Sequence, residues 1–271
     1  MAEGTIASLS DLVQVTAALE HDWGEPGWFR GHFDVGWKLV PGVYRPDVHW
    51  DLPGYEKNCG LYFKLRAPAR YERVPPDDDY AAWLFTMQHY RLPTRLLDWT
   101  ESPFVGLFFA LWSGWDYRPD RCPAHDAELV ALSPNRLNMA ESGEAAIYLL
   151  TSTAVRPLIP EYLRREGWKM PGEGQKSPRA LAILPKQVEP RILAQQGVFT
   201  IHASDQNIDD IPGAADYVRR FRIPRELRSE LLTALARTGF RAMNLFPDLD
   251  HLSFDLRWSD QPRRKAPGRQ Q

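Results

Sequence analysis

Cysteine is scarce in this sequence: Cys59 and Cys122 are the only two, and they do not stand in CxxC spacing. A disulfide scaffold and a cysteine-based zinc site are thereby disfavoured, and the thiols fit a reducing compartment. Long apolar runs are missing as well. The longest falls far short of the ~18 residues that cross a bilayer, and Met1-Ala2-Glu3-Gly4-Thr5 has neither a basic nor an apolar leader segment. The expectation is a cytoplasmic protein without a membrane partner. Neither charge sign is in excess, since 33 basic and 35 acidic side chains leave a net charge of -2, which gives the whole chain no attraction to a polyanion. The GxxxxGK[ST] phosphate loop, the GxGxxG turn, HExxH and the GxSxG elbow are all lacking, and the seven histidines are scattered. A P-loop nucleotidase and a metalloenzyme are disfavoured, and no metal is expected.

Apolar material is ample. At 271 residues with 44% hydrophobic side chains, the chain can bury a sizeable core without a disulfide or a metal. One domain over residues 1–258 is expected, opening on a helix, with residues 259–271 as a basic disordered tail. The glycine-rich loop at residues 171–177 has a similar composition.

Ser10-Asp11 before Leu12, Val13, Val15, Ala18 and Leu19 predicts a capped first helix. Trp28-Phe29-Arg30-Gly31-His32 follows a Gly-Glu-Pro-Gly turn and reads as a short strand with Arg30 at its end. Residues 58–71 lean helical. Asp77-Asp78-Asp79 introduces the clearest helix, with Tyr80, Trp83, Leu84 and Met87 on one face, ending near Tyr90. Ser102-Pro103 supplies an N-cap and a first-turn proline to a helix apolar on every side, expected to be central and buried. Strand-rich runs follow at 128–132, 146–150, 180–184, 198–202 and 217–223. Pro224-Arg225-Glu226 opens an amphipathic helix with Leu227, Leu231, Leu232 and Leu235 inward, stopped by Gly239. The order predicts an α+β fold, a mixed, mostly antiparallel sheet with helices packed around it.

The densest polar stretch lies between two apolar helices, from His89 to Ser102. Backbone N–H groups at the helix start near Ser102, with Arg91 or Arg95 beside them, would make an anion site, and Asp98 would orient an arginine or a ribose hydroxyl. The plainer alternative is an Asp98–Arg95 ion pair, with Thr100 or Ser102 serving only as a cap.

Phe29-Arg30-Gly31 is followed by Leu39-Val40-Pro41 and Arg45, and later by the long segment from Gln88 through Thr100. With Pro103 to Ala110, Arg191 to Thr200 and Leu245 to Asp250, these stretches resemble the FRG domain, a family named for a [Phe/Tyr]-Arg-Gly tripeptide near its start. The resembling segments run from about residue 28 to about residue 256. The family usually has glycine where this chain has Arg91.

A more distant resemblance is to ADP-ribosyltransferase folds. These open on a strand ending in an aromatic, a basic residue and glycine, where the basic side chain binds part of NAD; Phe29-Arg30-Gly31 is similar. Asp98-Trp99-Thr100 followed by Gly106-Leu107-Phe108-Phe109-Ala110 resembles their later strand and helix. Their third element is most often glutamate near the start of a late strand, where this chain has Gln195-Gln196-Gly197-Val198-Phe199. An amide can hold a ribose hydroxyl but supplies no charge to offset the one that develops as nicotinamide leaves.

This resemblance implies a nucleotide-binding cleft with NAD as its substrate. Either Arg30 or Arg95 clamps the pyrophosphate, with Gly31, Thr94 and Thr100 nearby. Gln196 or Asp98 contacts the ribose, Tyr90, Trp99 or Phe199 forms a shelf for the base, and His89 or Asp98 acts as base toward a protein or nucleic-acid acceptor. ADP-ribosyl transfer or NAD cleavage, as a toxin or defence effector, is the implied activity. The competing class is a non-catalytic module that holds a nucleotide, a nucleic-acid end or a peptide in the same cleft.

Overall fold

The computed structural model describes residues 4–45, 54–112, 114, 124–164, 167–168, 177–185 and 189–259. Cys122, the glycine-rich loop up to residue 176 and the basic tail from residue 260 lie outside the described residues. The strands are β1 (Gly4–Thr5), β2 (Trp28–His32), β3 (Leu96–Thr100), β4 (Ala127–Leu132), β5 (Tyr148–Leu149), β6 (Ala180–Leu184), β7 (Gly197–His202) and β8 (Val218–Ile223). The helices are α1 (Leu9–Trp23), α2 (Tyr55–Arg66), α3 (Tyr80–His89), α4 (Pro103–Leu111), α5 (Pro134–Ser142), α6 (Pro190–Ala194), α7 (Arg228–Arg237), α8 (Ala242–Leu245) and α9 (Leu249–Ser259). The strands form one sheet in the order β1-β8-β4-β2-β3-β7-β6-β5. Only the marginal pairs β1–β8 and β5–β6 run parallel, so the sheet is mixed and mostly antiparallel, as its sequence order predicts.

Local chemistry accounts for the main helix starts. Ser8, not Ser10, caps α1 by accepting from the Asp11 backbone N–H. In α3 the Asp79 carboxylate accepts from the Ala82 N–H, and Tyr80, Trp83, Leu84 and Met87 turn inward as their spacing requires. Ser102 caps α4, Pro103 fills its first turn, and the helix buries Val105, Leu107, Phe108, Ala110 and Leu111. Each Val, Leu or Phe side chain among them contributes roughly 1.5–3 kcal/mol by leaving water. A turn of 3-10 helix precedes α7, which buries Leu231 and Leu235 while Leu227 and Leu232 stay half-covered, and Gly239 takes φ 94 beyond its end.

The strand registers put Phe29, Leu129, Ala131 and Phe221 on the same sheet face as Leu96, Phe199, Leu181 and Ile183. That face nevertheless carries two separate apolar cores. One joins Phe29, Leu129 and Phe221 to α1, α4 and α7; the other joins Leu96, Phe199 and Ile183 to α3. A third core covers the opposite face, around Trp28, Leu97, Trp99 and Val130. The boundary between the first two falls at β2 and β3, the central strands.

Candidate functional site

Neighbouring strands in the middle of this sheet share five or six register pairs, but β2 and β3 share one, Phe29 with Thr100. Beyond it the strands part. On the β2 side α4 lies directly on Gly31: a Cβ there would collide with the backbone of Gly106 and Ala110. Gly106 faces Phe29 in the same way, with room for no side chain. The tripeptide therefore divides its labour. Phe29 fills the core, Gly31 admits the helix, and Arg30 points to the other face.

Arg30 occupies the middle of β2 rather than its end. Its Nη1 donates to the Asp98 carbonyl oxygen of β3 at 2.6 Å, across the gap where backbone pairing has stopped. Its Nε donates to His32 Nε2 at 3.0 Å. Since guanidinium only donates, His32 Nε2 must be unprotonated, and the ring proton sits on Nδ1, 2.9 Å from Glu128 Oε1. Glu128 in turn pairs with Arg220, which Asp209 holds through both carboxylate oxygens. Burial pushes His32 down to about 4 and so favours this neutral form, against the pull of the Glu128 hydrogen bond toward the charged one. Arg30 itself is lowered to about 10 by burial, a shift that Asp98 opposes and Arg45 adds to.

A cavity of about 500 Å³ opens at the parted strands. Among the described residues, four that bear a guanidinium line it, Arg30, Arg45, Arg91 and Arg191, against a single carboxylate residue, Asp98. Arg45 donates from Nε to the Val40 carbonyl. Arg191 lies over the Phe246 ring at 4.9 Å, and burial lowers its pKa while Asp98 raises it and Arg91 lowers it further. Asp98 accepts from Gln88 Nε2 at 2.9 Å, and Gln88 Oε1 accepts from Thr94 Oγ1 at 2.6 Å. Trp37, half exposed and edge-on to His32, and Phe109 of α4 add aromatic surface. Arg91 adopts φ 63, the left-handed conformation that favours glycine, which is the residue the resembling family usually has there.

Of the residues singled out from sequence, Arg30, Gly31, Thr94, Asp98, Trp99 and Thr100 line this cavity; His89, Tyr90, Arg95, Gln196 and Phe199 do not. Arg95 is sequestered by Glu56, at 2.5 Å and 2.9 Å, and by the Leu158 carbonyl. Burial opposes its charge, yet Glu56 holds its pKa above the ordinary value. Neither the Arg95 anion site nor the Asp98–Arg95 ion pair is built. Phe199 is core, packed on Phe85. His89, depressed by burial and by Arg191, and Tyr90 pack edge to face. Gln196 is exposed at φ 47, with its carbonyl accepting from the Glu101 N–H, whereas Gln195 lines the cavity and donates to the Leu245 carbonyl at 3.0 Å. Thr100 Oγ1 ties the Gln195 carbonyl to the Ser102 N–H, and Trp99 Nε1 donates to Thr200. Gln88, Arg45 and Arg191 were passed over, although all three stand in the resembling segments. Nothing in its neighbours marks Trp37.

Among the described residues no cluster of three or more His, Cys, Asp or Glu is placed to hold a metal, and no helix is long and apolar enough to cross a membrane. The class these features define is an α+β domain with an arginine-lined cleft where its central strands part. The family model of the FRG domain matches residues 25–116, which include β2, the arginine-bearing segment before β3, and α4. The resembling stretches at 191–200 and 245–250 lie beyond the matched residues. No curated protein and no solved structure matches the chain.

Proposed function

We propose that the cleft binds a nucleotide of the NAD kind and that the protein cleaves it or transfers its ADP-ribose. The observation that supports this is the imbalance of charge: among the described residues, four guanidinium residues against one carboxylate around a cavity of nucleotide size. The diphosphate lies across Arg30, Arg45, Arg91 and Arg191. Trp37 and Phe109 take the flat face of a base, and Asp98, steadied by Gln88, faces the ribose. In the reaction the N-glycosidic bond breaks, nicotinamide leaves with the bonding pair, and water or an acceptor nucleophile closes on the ribose carbon. Asp98 is the lining carboxylate able to offset the positive charge that develops there. Diverting NAD in this way suits a toxin or defence effector.

A second reading, a module that holds a nucleotide without turnover, is favoured by Gln195: of the two glutamines that stand where the resembling folds carry glutamate it is the one that lines the cavity, it carries no charge, and its amide is already committed to Leu245. Calorimetry with NAD, paired with release of labelled nicotinamide, separates the readings. Binding with release supports the enzyme, binding without release supports the module, and wild-type affinity in folded Arg30→Ala protein overturns both.

A further inference from the structure

A second hollow of about 540 Å³ adjoins the arginine cleft, with Leu92 in the wall of both. It is lined by α2, the turn after it and the end of α3. Tyr62, Tyr71 and Tyr90 supply its aromatic surface and Arg66 and Arg70 its charge; among the described residues no carboxylate residue lines it, Glu189 standing behind Tyr71, whose hydroxyl donates to it at 3.1 Å. Two of the rings are unusually open for their size, Tyr62 at 57% and Tyr90 at 51% exposure. Tyr71 and Tyr90 stand edge to face at 5.4 Å, and the Arg66 guanidinium lies 5.1 Å from the Tyr62 ring. Arg70 Nη1 donates to the Arg66 carbonyl, and among the described residues neither arginine is held by a carboxylate. Residues 55–74 contain five basic side chains (Lys57, Lys64, Arg66, Arg70, Arg73) and two acidic ones (Glu56, Glu72), a local excess of three in a chain of net charge -2. One of those acids, Glu56, is consumed by Arg95.

Open tyrosine faces beside two guanidinium groups that no carboxylate holds, with no acid in the wall among the described residues, match a ligand that is both flat and anionic. A peptide rich in Asp and Glu brings the charge without the rings; an apolar peptide brings neither. We propose that this hollow is a binding site for a nucleotide unit, its base stacked on Tyr62 or Tyr90 and its phosphate held by Arg66 and Arg70. The site is separate from the arginine cleft and does not depend on what that cleft binds. The unit is either a free nucleotide or one residue of a single strand.

The test uses the full chain carrying Arg30→Ala, so that failure of the cleft does not enter. Anisotropy of a labelled, mixed-sequence single strand of about eight nucleotides gives the affinity. Tyr90→Ala and Tyr62→Ala each weaken it about ten-fold or more, and Tyr90→Phe retains it. Arg66→Ala with Arg70→Ala weakens it and flattens its salt dependence. Both tyrosines are exposed, so these variants keep the core. Cys59, in the wall of the hollow, supplies an independent readout: in a Cys122→Ser background its alkylation is slowed by the bound strand. Protection by a mononucleotide alone identifies a free nucleotide as sufficient, and protection by the strand alone identifies a polymer; both support the site. Unchanged affinity in the tyrosine variants, an unprotected Cys59, or equal binding of a duplex or an acidic peptide overturns it.

Discussion

The middle of β2 and the entrance to β3 each present an arginine, and the two are kept in opposite electrical surroundings. Arg30 rests on neutral acceptors, a histidine nitrogen and a backbone carbonyl. Arg95, just before β3, is cancelled by the two oxygens of Glu56. Neutral acceptors fix a guanidinium while leaving its charge for something else, at the expense of a depressed pKa. A carboxylate spends the charge and turns the arginine into a staple between α2 and β3. The same residue type, close by in the sheet, serves a site in one case and the fold in the other.

If β2 is held by close packing, Gly31→Ala is the most damaging single change, because its methyl group meets the backbone of α4. A loss of about 3 kcal/mol or more in urea unfolding, or no soluble protein, is expected. An unchanged unfolding midpoint would break the packing account.

If the β3 entrance is held by charge, Glu56→Gln destabilises by about 2 kcal/mol, because it leaves a half-buried guanidinium without its counter-ion. Nucleotide affinity should stay near wild type. A variant that loses affinity while keeping its stability would move Arg95 into the site.

Acid separates the two regions again. His32 is neutral in the fold and pushed down to about 4, below its ordinary 6.5, so the unfolded chain takes up a proton first as the pH falls. Stability is present in full above about pH 6.5 and is lost progressively toward pH 4, by a couple of kcal/mol on the order of the shift. His202, lowered to about 3 by burial and by Arg30, adds to the same slope. Protonated His32 would also oppose Arg30 donor to donor. In a His32→Gln variant the slope should shrink; an identical pH profile would remove His32 from the account.

The smallest effect is expected at Arg91→Gly. Releasing a non-glycine residue from φ 63 should gain about 0.5 kcal/mol after the extra entropy of the unfolded chain is set against it. Any loss of nucleotide affinity in that variant then belongs to the guanidinium.

Much of the architecture was legible in the residues. The α3 spacing, the Ser102-Pro103 start and the runs that became β4, β6, β7 and β8 carry periodicity and caps that local physics enforces. Helix α5 carries little apolar periodicity, although Ser133-Pro134 repeats the signal at Ser102-Pro103, because most of its residues are polar and beside Leu137 it buries Asn138, hydrogen-bonded to Ala182 of β6. Sequence spacing does not separate Gln195 from Gln196, which stand side by side just before Gly197. Only the turn geometry, with Gln196 at φ 47, decides which of the two reaches the cavity.

The sequence by itself determined that this chain would form an α+β domain with Phe29-Arg30-Gly31 on a strand, since hydrophobic period, caps and strand formers act over a few residues. Which arginines keep their charge was decided by the tertiary structure alone. Glu56 lies 39 residues from Arg95 and Glu128 lies 96 from His32. Charge is cancelled or preserved by whatever the fold brings within hydrogen-bond reach, and sequence spacing carries no record of that.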